Sequence, residues 1–146
     1  NNINEIVGQV EQNEELTSES DIRLWVWKSG FEVFKKHSFF GVGTGDVSDE
    51  LNSRYHKNDL TLAENHNYNA HNQYIETLLG LGIPGLFILL FLFAGTLIYA
   101  LKKQNFLLFF FMIIVGINFM FESMLNTIAG VSFFAFFYSL LVLRKK

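Results

Sequence analysis

Three long uncharged apolar runs fill the second half of the chain and limit what it can become. They are Ile83 to Leu101, Asn105 to Phe121 and Ser123 to Leu143, parted by Lys102-Lys103 and by Glu122. Each approaches the roughly 20 residues that cross about 30 Å of hydrocarbon. Packed as core helices of a soluble protein they would need covering, and 82 preceding residues supply too little surface. The reading is three transmembrane helices, about 83–101, 105–121 and 124–143, behind a polar segment.

Charge divides the chain at the same place. Residues 1–82 hold 13 acidic and 6 basic side chains, a net of −7, whereas 83–146 hold 1 and 5, a net of +4. Thirteen of the 17 Phe fall in the second part and all four His in the first. Lys102-Lys103 closes the first span and Arg144-Lys145-Lys146 the third, so positive charge puts the C-terminus in the cytoplasm and residues 1–82 outside. No apolar signal precedes Asn1, which reads as a C-terminal fragment of a longer multi-span protein whose earlier helices export this segment. The chain has no cysteine, so disulfide, thiolate and zinc-thiolate chemistry are excluded. With no basic stretch, nucleic acid is not an expected partner.

Residues 1–17 carry no readable chemistry. Ser18 to Asp21 resembles a capping box opening a helix over about 19–37, with Leu24, Trp27, Phe31 and Phe34 at helical spacing. Its two Trp and basic flank suit a membrane interface, and equally a helix packed on its own domain. Gly41-Val42-Gly43-Thr44-Gly45-Asp46 follows, either a tight connecting turn or an anion cradle. It lacks the spacing of a dinucleotide fingerprint and the Lys-Ser/Thr of a P-loop. Asp46 or Ser48 then caps a short helix, about 47–56, with Val47, Leu51 and Tyr55 on one side.

A polar, turn-rich stretch over 58–70 leads to a helix expected at about 71–80, ending at Gly80-Leu81-Gly82 before Pro84. That helix puts His71, Asn72 and Glu76 at the outer mouth of the membrane region. A His there is either a hydrogen-bonded residue or, with a reference pKa of about 6.5, a base near neutrality. His56, His66 and His71 lie among acids, but no metal-ligand spacing joins them, and no metal is expected. Glu122, with Asn118, Ser123 and Asn126 nearby, is a solvated loop acid at the interface or a functional group if deeper.

Taken in order, Arg23 and Trp27, Gly41 to Asp46, His71-Asn72-Gln73-Tyr74-Ile75-Glu76, a Gly-rich helix entry and Phe121-Glu122-Ser123 resemble the C-terminal part of O-antigen ligase and polymerase proteins. The resemblance covers about residues 20–143. It implies an all-α integral membrane protein, the tail of a larger C-type glycosyltransferase fold in the bacterial inner membrane, with residues 1–82 periplasmic. It implies an inverting enzyme that moves a glycan from undecaprenyl diphosphate to an acceptor hydroxyl, such as a sugar of the lipid A core, among membrane lipids and without cofactor. His71 then corresponds to the general base and Arg23 to the diphosphate-binding residue. Asn72 and Glu76 orient the His or acceptor, Gly43 and Gly45 shape the substrate loop, and Trp27 and Glu122 are structural. Further arginines expected upstream leave this segment inactive alone. A polysaccharide polymerase of the same family, or a non-catalytic transport or assembly subunit, remains an alternative.

Overall fold

The computed structural model describes residues 19–144, and among these the chain is all-helical. The Ser18 capping residue and the loop before it lie outside the described residues. Six α-helices follow one another: α1 Glu19–Lys36, α2 Val47–Lys57, α3 Thr61–Asn65, α4 Gln73–Lys102, α5 Phe106–Asn118 and α6 Ile128–Leu143. A 3-10 turn, Met124–Asn126, precedes α6.

Helix α1 does pack on its own domain, but through a face rotated from the expected one. Val26, Ser29, Gly30 and Val33 are buried, against Leu51 of α2 and Ile75 and Leu79 of α4. Leu24 and Phe31, two of the four residues at helical spacing, are 60% and 47% exposed. Small and β-branched residues admit a closer helix approach than the bulky stripe would. Trp27 and Phe34 flank this contact and are partly buried. Helix α2 buries Val47, Leu51 and Tyr55, one turn apart each. The stretch 58–70 holds a short helix that its polarity conceals: Leu60 and Ala63 are buried, anchoring α3 to the same cluster.

Helix α4 is broken at Gly82, whose φ of 66° and ψ of −163° leave helical space. Pro84 has no N–H to offer the Gly80 carbonyl. The freed carbonyls of Leu79 and Gly80 accept instead from the backbone N–H groups of Val42 (2.8 Å) and Gly43 (3.0 Å), while Ile83 N–H donates to Ser38 O (3.1 Å). A Cβ at Gly41 or Gly82 would collide with the opposing backbone. The glycine loop is thus a clasp on the helix break, and these two amides are taken by protein carbonyls.

By length and composition, α4 is the one described helix able to cross a membrane, and few of its apolar residues are buried. Its arm over 83–102 is about 30 Å long, whereas α5 and α6 reach only about 20 and 24 Å. Helix α5 stops at Asn118 rather than 121 because residues 119–126 turn back to bond residues 72 and 73. Packing between α5 and α6 is mostly aromatic. Phe111 touches Phe133, Phe134 and Phe137, and Phe134 stacks on Tyr138.

Candidate active site

The helix expected to start at His71 starts at Gln73. His71 adopts a left-handed φ of 43°, held by its N–H donating to Asn69 Oδ1 at 2.8 Å. Asn72 is the N-cap, its Oδ1 accepting from Tyr74 and Ile75 N–H at 3.0 and 3.1 Å. His71 therefore stands off the helix, not one turn beneath Ile75.

The loop that carries His71 is tied down from several sides. Trp27 Nε1 donates to Ala70 O at 2.8 Å, and Tyr55 Oη donates to Tyr68 O at 3.0 Å. Burial, and then the Glu76 charge, push the Tyr55 phenol up, so it stays a neutral donor. Asn72 N–H donates to Ser123 Oγ, and Asn72 Nδ2 to Met120 O, both at 3.2 Å. Gln73 N–H donates to Phe119 O at 2.8 Å and Gln73 Oε1 accepts from Leu125 N–H at 2.6 Å. Together these bonds bring Glu122 beside the loop. His71 Nδ1 is buried without a hydrogen bond and lies 3.5 Å from Glu122 Oε2.

Arg23 and His71, 48 positions apart in sequence, line one open cavity of about 160 Å³ with Ile22, Val26 and Tyr68. The Tyr68 ring meets His71 edge-on at 5.8 Å and stacks on His66 at 5.7 Å. Tyr68 is the site residue that sequence reasoning missed. An aromatic ring three positions before His71 in an otherwise polar stretch was the available signal.

Asn72 and Glu76 do not line this cavity. Each is 8% exposed, and both are engaged inside the fold. Glu76 Oε2 accepts from Ala70 N–H at 3.2 Å and Oε1 from Asn126 Nδ2 at 2.8 Å. Burial pushes the Glu76 carboxyl above the ordinary carboxylate range, against those two bonds and nearby His71, which pull it down. Glu76 also borders a separate groove of about 550 Å³ running down to Ile88, Leu89 and Leu92. Gly43 and Gly45 sit on the exposed clasp, away from the Arg23 cavity.

The remaining histidines do not converge. His56 pairs with Glu64 at 3.2 Å, and among the described residues no three His, Asp or Glu side chains are grouped to hold a metal ion. The arrangement at His71 offers a cation for an anionic leaving group, an imidazole for a proton and a carboxylate behind that imidazole.

A family model described as O-antigen ligase matches residues 1–90. The match includes Arg23, the glycine clasp and His71 to Glu76, and ends before Glu122. No curated protein and no solved structure matches the chain.

Proposed function

The chain belongs to the O-antigen ligase family, whose members are membrane-embedded glycosyltransferases, and from that premise we propose that it joins a glycan from undecaprenyl diphosphate to a sugar hydroxyl of the lipid A core at the periplasmic face. The observation that carries this reading is the single cavity shared by Arg23 and His71.

In this mechanism His71 Nε2 takes the proton of the acceptor hydroxyl as that oxygen attacks the anomeric carbon. The bond from this carbon to the phosphate oxygen breaks on the opposite side, inverting the centre and releasing undecaprenyl diphosphate. The Arg23 guanidinium holds the charge that develops on the diphosphate, the task a divalent cation performs elsewhere. Glu122, 3.5 Å from Nδ1, is placed to stabilise the imidazolium that forms when Nε2 takes the proton. Asn72 and Glu76 serve by holding the loop, and Gly41 to Gly45 by clasping the helix break.

The three apolar helices are three crossings, with residues 1–82 periplasmic and the C-terminus cytoplasmic. The shortness of α5 fits this reading because residues 119–127 continue the crossing as irregular backbone with protein partners, the form that tolerates membrane depth. The chain contains no cysteine, so single cysteines at Asp59 and Gln104 test topology by labelling with an impermeant maleimide. Asp59 should label from outside and Gln104 only after permeabilisation.

The function is tested by His71→Ala and Arg23→Ala in the whole protein in membranes, with transfer of lipid-linked glycan as readout. Losing a positioned general base costs about 10²- to 10⁴-fold, and membrane insertion should be unchanged. Wild-type transfer by both variants would rule the mechanism out.

A further inference from the structure

The largest cavity given above belongs to the outer part of the molecule, yet a larger one, about 640 Å³, opens at the other end of the membrane helices. It lies where α4 ends, α5 begins and α6 ends. Lys103 and Arg144 line it with Tyr99, and Phe106, Leu107 and Leu143 form its apolar wall. The groove is held by hydrogen bonds: Asn105 N–H donates to Ala100 O at 2.8 Å, and Asn105 Nδ2 to Leu141 O at 2.8 Å. These tie the start of α5 to the ends of both neighbours.

Among the described residues this charge has no ion-pair partner: Lys102, Lys103 and Arg144 enter none. From residue 83 onward the sequence contains one acid, Glu122, and it sits at the far end of the helices beside His71. A cationic groove with apolar walls, at the edge of a membrane helix, calls for a ligand that combines a phosphate with hydrocarbon. Tyr99 is placed as an interfacial aromatic, with its ring near the headgroup level.

We propose that this groove binds an anionic phospholipid, its phosphate between Lys103 and Arg144 and an acyl chain along Phe106 and Leu143. The site is independent of the transferase reading, since it involves no residue of the His71 cavity. Two juxtamembrane cations together favour an anionic headgroup on the order of 10-fold or more.

The test takes the whole protein, stripped of lipid in neutral detergent, and measures binding of dioleoylphosphatidylglycerol and dioleoylphosphatidylcholine by native mass spectrometry. Wild type should retain phosphatidylglycerol at least about 10-fold better, and Lys103→Gln with Arg144→Gln should erase the preference. The same charge change at Lys35→Gln with Lys36→Gln should leave it intact, and Lys103→Arg with Arg144→Lys should keep it, which separates the groove from net charge and from misfolding. Equal retention of both lipids overturns the proposal, as does an equal loss in the Lys35 and Lys36 variant. Displacement of the lipid by millimolar inorganic phosphate would also overturn it, by showing a free-anion site.

Discussion

Residues 19–82 and the apolar helices beyond them balance directional bonds and packing differently. Between 19 and 82 an apolar cluster around Leu51, Tyr55 and Leu79 is pinned by directional bonds: Trp27 to Ala70, Tyr55 to Tyr68, Asn72 to Met120 and Ser123. From 83 on, rings of similar size meet at many angles, with Phe111 alone touching three others, and side-chain bonds between helices are confined to points such as Asn105 to Leu141 and Thr96 to Tyr138. A directional bond has one correct partner, whereas an aromatic contact tolerates several geometries. Substitutions should therefore be costly and specific at the directional bonds of residues 19–82, and mild and diffuse at the ring contacts beyond.

The sharpest test of that contrast lies within α4 itself. Gly82→Ala places a side chain at positive φ and against the Phe39 backbone, so a loss of about 2–4 kcal/mol or failure to accumulate is expected. Gly95→Ala, with open space around it, should cost nothing measurable in the same thermal melt. Equal melting of the two would show that the clasp does not fix the break.

Asn72→Ala removes a helix cap and strands Met120 O, for an expected loss of about 1–2 kcal/mol. Ser123→Ala should cost less, because only the Asn72 N–H is stranded. On activity, Glu122→Gln should slow transfer by about 10-fold or more through loss of a charged partner at His71 Nδ1, well short of His71→Ala. A Glu122→Gln enzyme as fast as wild type would remove Glu122 from the mechanism.

Glu76 supplies a pH test. Burial raises its folded pKa above the unfolded value of about 4.3. The native state therefore binds the proton more tightly, and the resulting stability is full below the unfolded pKa and fades as pH rises through the folded one. Relative to Glu76→Gln, wild type should gain melting temperature as pH falls from 7 toward 5. A difference that is flat with pH would mean the carboxyl is ordinary. The smallest effect is expected in α6, where Phe136→Leu, at an exposed position, should change stability by less than about 1 kcal/mol.

Much of this architecture was legible before folding. The apolar runs, the Val47, Leu51 and Tyr55 face, and the break near Gly82 and Pro84 all follow from local chemistry. The face of α1 was not, because Trp27 and Phe34 are the bulkier rings at helical spacing, while close helix approach favours the smaller Val26, Ser29 and Val33. The conformation of His71 was also hidden. Asn72 competes to cap the helix, and a left-handed residue before a cap leaves no mark in a periodicity. The resemblance implied that Asn72 and Glu76 orient the His or acceptor, whereas their partners at Met120, Ser123 and Asn126, some 50 positions away, were not legible.

By itself the sequence determined which half of this chain is apolar enough to seek a membrane, where its helices are interrupted, and that His and Arg rather than thiolate chemistry is available. Those properties depend on residue type and on neighbours within a turn or two. Only the tertiary structure decided that Arg23, Tyr68 and His71 share a cavity and that Glu122 stands behind the imidazole. That juxtaposition rests on hydrogen bonds between distant segments, made when residues 119–126 turn back onto the start of α4, and no local pattern encodes it.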